Sequence, residues 1–305
     1  MRIVDSTQID AEQWDFLVDR TPDASMFSYF WYLNAVAENW CAVIGDNYKF
    51  GIALPYTVRL GQKILYTPIF VSYLELLGDS TGSDAQIAAL IRGKFNVIEF
   101  CCLQDLLGEP SAYVVCQDVD SELLHIGSQL KRMLKKAEKH GFQVVESDDS
   151  SSVFEIIRSE LQDKFTGITS KSLNRLENAF QLGEKSGKQT VLRLENASGE
   201  LLGGIITIES SGRLVYVKGA TRSYARENGG MFLLIKAAIE RARQKKKRFD
   251  FGGSRIPGVR NFNGHFGGKD FTLHYYVENR APFWFNWTRT IHHAWFKSDK
   301  YTTTS

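Results

Sequence analysis

The chain has 305 residues, 43% of them hydrophobic and 24% charged, and a formal net charge of +2. That length suits two domains, and near-balanced charge excludes binding to DNA through an overall basic surface, while leaving room for a local basic patch. Six prolines leave no place for a long Pro-rich linker.

Residues 7–20 predict a helix, with Trp14, Leu17 and Val18 near one face and Thr7 or Asp10 as cap. The aromatic-rich stretch 26–40 predicts a second helix. Three strands are expected next, at 41–45, 49–60 and 63–78, where β-branched and aromatic runs are broken by Gly-Asp-Asn and Leu-Gly-Gln turns. A helix over 83–95 and strands at 96–103 and 111–118 complete the first half. Residues 122–140 give the clearest helical period. Leu130, Met133, Leu134 and Ala137 share one face, Lys131, Lys135 and Lys139 another, and Gly141 is the stop.

The second half repeats the plan. A strand at 142–148 and helices at 147–165 and 171–187 precede a meander over 188–196, 200–210 and 213–221. A helix from Gly230, a strand at 248–254, a Gly-rich connection, a strand at 270–278 and an aromatic C-terminal helix follow. Two helices, a meander, a helix and two strands thus occur twice. The expected class is α/β (α+β): two units, 1–125 and 126–305, each a mixed, mostly antiparallel sheet flanked by helices, with the basic helix 122–140 as connector.

Uncharged stretches such as 64–74 fall short of the roughly 18 apolar residues a spanning helix needs. The first residues, MRIVDSTQIDAEQWD, place acids where an export signal has its apolar region, so a cytoplasmic chain is expected. Cys41, Cys101, Cys102 and Cys116 form no CxxC pair, and His292 and His293 are consecutive and so point apart. No metal is expected, and the thiols read as buried and reduced.

Chemistry concentrates in 214–254. Strand LVYVKGA runs into TRSYARENGG and then a helix, Met231 to Ile239, that is apolar nearly all round. Gly229 and Gly230 open that helix beside Arg226. Bare glycine backbone at a helix N-terminus, with its unpaired N–H groups and positive dipole end, suits a phosphate or diphosphate. The plainer alternative is a flexible loop at a helix start.

Arg226-Glu227-Asn228-Gly229-Gly230 resembles the (Arg/Gln)-x-x-Gly-x-(Gly/Ala) coenzyme A loop of the GNAT N-acyltransferase superfamily, with Met231 in place of the final Gly/Ala. SQLKRMLKKAEKHGFQVVESDD (128–149) and RFDFGGSRIPGVRNFNGHFGG (248–268) resemble segments of the Fem-type peptidoglycan-bridge aminoacyltransferases and their acetyltransferase-like relatives, which are tandem GNAT domains. The resemblance implies two GNAT-like domains, the second carrying the donor loop, and transfer of an acyl or aminoacyl group onto an amine. It assigns the donor to Val217, Gly219, Arg226, Asn228, Gly229, Gly230 and Met231, with the main chain around Val217–Ala220, opened by a bulge, polarising the carbonyl.

Asn263 stands where the Fem-type motif has lysine, which favours acyl-CoA (acetyl-CoA) as co-substrate over aminoacyl-tRNA; no covalent cofactor is expected. The aminoacyltransferase and a non-catalytic tandem binding protein remain alternatives. Catalytic candidates are His265 as acid or base, Asp250 as base or amine orienter, and Tyr275 as acid. Equally, Asp250 can pair with an arginine and Tyr275 can pack in the core. Lys135, Arg255, Arg260 and Asn263 are candidates for binding the acceptor, a small-molecule or cell-envelope-precursor amine. The aromatic segment 282–297 packs on the first half or rests on a membrane surface, and the chain is expected to be a monomer.

Overall fold

The computed structural model describes residues 1–123, 127–164, 168–253 and 257–285. In the first half, β1 (Arg2–Asp5) precedes α1 (Ala11–Arg20), which Asp10 caps by accepting the N–H groups of Glu12 and Gln13. Trp14, Leu17 and Val18 are its buried face, as their spacing predicts. There follow α2 (Phe30–Val36), β2 (Asn39–Ile44), β3 (Phe50–Arg59), β4 (Gln62–Tyr66), β5 (Leu76–Gly78), α3 (Asp84–Lys94), β6 (Val97–Cys102) and β7 (Ala112–Val119).

The second half runs α4 (Ser128–Lys139), β8 (Gln143–Ser147), α5 (Ser150–Lys164), α6 (Ser170–Lys185), β9 (Gln189–Glu195), β10 (Leu201–Glu209) and β11 (Arg213–Thr221). It continues with α7 (Ser223–Glu227), α8 (Gly230–Gln244), β12 (Arg248–Asp250), α9 (Pro257–Gly264) and β13 (Lys269–Asn279).

Three expectations change: the helix expected over 122–140 begins only at Ser128, after a separate 3-10 turn at Ser121–Leu123. The helix expected over 26–40 stops at Val36, because Asn39–Ile44 pairs with β1 on one edge and β3 on the other, and that two-sided ladder overrides the local helical pattern around Trp40. The strand expected over 63–78 breaks after Tyr66, where Pro68 has no N–H to give a ladder, and leaves a loop over 67–72. Strand β1 and the short helices α7 and α9 lie where no element was expected.

All the strands among the described residues join one sheet, in the order β1-β2-β3-β4-β6-β13-β7-β12-β11-β10-β9-β8, with β5 attached to β3. The order is a palindrome of the two halves with their last strands exchanged. β13 lies between β6 and β7, pairing His274 with Cys102 on one side and Tyr113 on the other, and β7 reaches β12 of the second half. The repeated element order of the sequence is thus a repeated sheet. Its pairing is not confined within each repeat.

Strand pleating sends alternate residues to two cores. Ile205 and Leu214 join Leu130, Ala137, Leu234 and Ile239 beneath α4 and α8. Ile206 and Val215 join Phe154, Ile157 and Leu173 from α5 and α6, in a cluster continuous with the first half's Trp14, Tyr32 and Phe100. The four cysteines are buried, and burial pushes the Cys41 thiol up to about 11 and that of Cys102 up to about 12. No helix among the described residues is long and apolar enough to cross a membrane.

Candidate active site

The site grows from the β11–α8–β12 crossover. β11 and β12 are parallel neighbours, but only Arg213–Val215 pair with Arg248–Asp250. The chain then turns at Gly252 and Gly253, both at positive φ (73° and 71°). A Cβ on Gly252 would lie 2.2 Å from the Tyr216 carbonyl oxygen, so only glycine lets this turn press against β11. Past it, the β12-facing edge of β11 has no strand partner among the described residues. On the other edge the register with β10 slips: Ile206 faces Lys218, Thr207 faces Tyr216, and Val217 is left as a bulge. Open α/β sheets take ligands beyond the carboxyl ends of parallel strands, and these strands part there.

Two cavities flank the parting. One, of about 390 Å³, is bounded by Ile157, Glu160 and Leu161 of α5, by Gly219–Thr221 of β11, by Met231, Phe232 and Ile235 of α8, and by Val259, Phe262 and Asn263 of α9. It is mainly apolar. The other, of about 280 Å³, lies between the halves, under the loop 67–72, against Val114–Cys116 of β7 and Val217 and Lys218 of β11. Tyr216 lines both. Its hydroxyl donates to the Gly219 carbonyl at 3.3 Å, and burial raises its pKa.

Gly219, Arg226, Met231 and Asn263 therefore meet around one cavity, and Val217 faces the other. Arg226 sits at the first cavity's mouth, paired with Glu160 at 2.9 Å and donating to the Thr221 carbonyl. His265 flanks the same wall, its ring 6.0 Å from that of Phe232 between centroids. Aromatic contacts seat α9: Phe262 lies 4.7 Å from Phe232 and 5.2 Å from Phe266.

The remaining candidates lie elsewhere. Gly229 and Gly230 are buried and do not line the cavity. Gly229, the cap of α8 at φ 88°, would bring a Cβ within 2.2 Å of the Met133 carbonyl oxygen on α4, and a Cβ on Gly230 would meet Leu194 at 2.5 Å. Close packing of α4 and β9 on the start of α8, rather than anion access, is what excludes side chains there. We expect Gly229→Ala to cost about 2–4 kcal/mol of stability in urea unfolding, combining left-handed strain with overpacking. Asn228 donates to the Tyr224 carbonyl at 2.8 Å.

Asp250 is fully buried, not facing an open cleft. Its carboxylate accepts the Gly252 N–H at 2.8 Å and the Tyr73 hydroxyl at 3.1 Å, and lies 3.4 Å from Arg213. Burial raises its pKa, against the opposing pull of Arg213. Tyr275 lines neither cavity, and its hydroxyl donates to Glu99 at 3.0 Å. Lys135 borders a separate open groove with Lys131 and Lys236, and Arg260 pairs with Asp270. Arg255 and most of 282–297 lie outside the described residues.

Sequence reasoning carried Lys218 only within the strand LVYVKGA and did not single out Tyr216, Glu160 or the loop 67–72. A lysine inside the apolar strand LVYVKGA is a readable signal. The approach of a loop from the other half is not.

Residues 127–263 match the family described as acetyltransferase (GNAT) domain. Among solved structures, FemX superimposes over 92% of this chain and 98% of its own, with a TM-score of 0.64 at 14% identity. L-PGS from Bacillus licheniformis covers 93% of this chain and 96% of its own, with a TM-score of 0.59 at 10% identity. A conserved protein of unknown function from Bacteroides thetaiotaomicron covers 88% and 98%, also with a TM-score of 0.59 at 10% identity. At these identities the likeness is one of fold. No curated protein matches the chain.

Proposed function

We propose that this chain, an acyltransferase whose residues 127–263 form an acetyltransferase (GNAT) domain, carries an acyl group from acyl-CoA to an amine. The observation that carries the proposal is the parting of β11 from β12 at a bulge, with a cavity on each side and Tyr216 common to both. Two substrates entering from opposite sides would meet at one stretch of open main chain.

The cavity against α8 fits the donor. Its apolar walls suit an extended acyl-bearing arm, and Arg226 at the mouth offers a cation to a diphosphate once Glu160 gives way. The amine approaches from the cavity between the halves and attacks the thioester carbonyl. Main-chain N–H groups on the unpaired edge of β11 hold the developing oxyanion, and the thiolate leaves as the new C–N bond closes. Tyr216, common to both cavities, is the titratable side chain nearest the meeting point for moving the proton, and His265, although beside Phe232, lines neither cavity.

Calorimetry tests this. Acetyl-CoA is expected to bind the wild type, and to bind at least about tenfold more weakly to Ala220→Phe, whose ring fills the apolar cavity. Equal binding by the two proteins, or none by the wild type, would remove the acyl-CoA reading.

The exposed Lys131, Lys135 and Lys139 on α4 favour a second reading, with aminoacyl-tRNA as donor and a cell-wall precursor as acceptor. Asn263 weighs against it, giving the cavity an amide where the Fem-type motif has a cation. Binding of charged tRNA, with no affinity for acetyl-CoA, would reverse the preference.

A further inference from the structure

Cations around the parting strands come with counter-ions. Arg213 lies 2.9 Å from Asp118, Arg226 lies 2.9 Å from Glu160, and Arg248 reaches Asp118. Lys218 does not. It is partly buried on the wall of the cavity between the halves, and its ammonium has no hydrogen-bond or ion-pair partner among the described residues. No aspartate or glutamate lines that cavity. Burial lowers the pKa of Lys218. An ammonium taken from water without a carboxylate is destabilising, and a site keeps such a charge where a ligand completes it.

We propose that this cavity binds the carboxylate of a compact amino acid on Lys218, and so selects an amine acceptor that carries one carboxylate and an apolar body. The word acceptor rests on the transferase reading above; the carboxylate site does not. Ile69, Phe70 and Val114 supply the apolar wall. One cation suits a single negative charge better than a phosphate dianion, because of the hydroxyls around it Ser72 and Tyr216 already donate to carbonyls and only the Thr67 O–H is left to give. Ser72 donates to the Gly252 carbonyl, and Thr67 accepts the Cys101 N–H at 2.8 Å. A carboxylate held at Lys218 leaves the amine of such a molecule free to turn toward Tyr216, which the donor cavity shares.

The test titrates the full chain, without donor, with leucine, phenylalanine and methionine, and with the matching amines that lack the carboxylate. At least one amino acid is expected to bind about tenfold or more tightly than its amine, the scale of one charged hydrogen bond. In Lys218→Met that preference disappears, while the unfolding midpoint stays level or rises because a desolvated charge has gone. Lys218→Arg keeps the preference. No binding by any of the three amino acids, equal binding of acid and amine, or an unchanged preference in Lys218→Met would overturn the proposal. A lowered midpoint in Lys218→Met would overturn it too, by making the lysine a structural one. A parallel titration with acetyl-CoA reports on the donor cavity alone. Amino-acid binding without acetyl-CoA binding would therefore sink the acyl-CoA reading and leave this site standing.

Discussion

Cut into residues 1–123 and 127–285, the chain is expected to give two fragments that fail to fold apart and that regain native near-ultraviolet circular dichroism when mixed. The reason is the exchange of last strands. The first fragment keeps β6 and β7 but loses β13, the strand that lies between them. The second keeps β13 with neither of its neighbours, and keeps β12 without β7. Each fragment would expose unpaired N–H and C=O groups at the centre of its sheet, where they are normally buried, and would open the core that spans α1, α2, α5 and α6. A cooperative urea transition in either fragment alone would show that the exchanged strands are dispensable.

The second large effect is expected from Arg213→Met, with a loss of about 3–5 kcal/mol of unfolding free energy, the usual result of removing one partner from a buried ionic cluster. Arg213 is 7% exposed and lies against Asp118 and Asp250, which are 4% and 0% exposed. Burial works against its charge, and Tyr73, Asp250 and Asp118 outweigh that, holding the guanidinium above its ordinary pKa. Without it, Asp118 keeps Arg248, but Asp250 keeps only neutral donors, Tyr73 and the Gly252 N–H. Adding Asp250→Asn should recover part of the loss, because the two residues act as one unit and their effects will not add. An Arg213→Met protein within about 1 kcal/mol of wild type would mean that the cluster contributes little net stability.

Much of the architecture is legible in the sequence because it is encoded locally. Asp10 before an apolar period, the turns between β9, β10 and β11, and the apolar run after Gly230 each specify an element through nearby residues. The repeat of element order points to a duplicated unit, and the sheet shows one. Strand partners are a different matter. Nothing within Ala112–Val119 says that its neighbours will be residues 249–250 and 269–275. Trp40 and its neighbours carry a helical pattern that pairing from β1 and β3 overrides.

At the site, the sequence located the crossover and read its glycines as an anion loop, and the structure adds a packing reason for them. Their spacing fits an anion loop, whereas Gly229 and Gly230 are held by contact with Met133 and Leu194, atoms that sequence proximity does not supply. Asp250 was ambiguous for a similar reason. A carboxylate at a strand end serves catalysis or an ion pair equally well on paper, and it is Arg213, 37 positions away, that takes it.

The crossed strands also set how molecules reach the interior. Swinging the lobes apart would tear two hydrogen-bonded ladders out of β13, so the chamber between them is not served by a hinge. The segment 67–72 walls one chamber and α9 the other. The consequence is one continuous sheet whose two chambers are approached separately, one past the segment 67–72 and the other past α9.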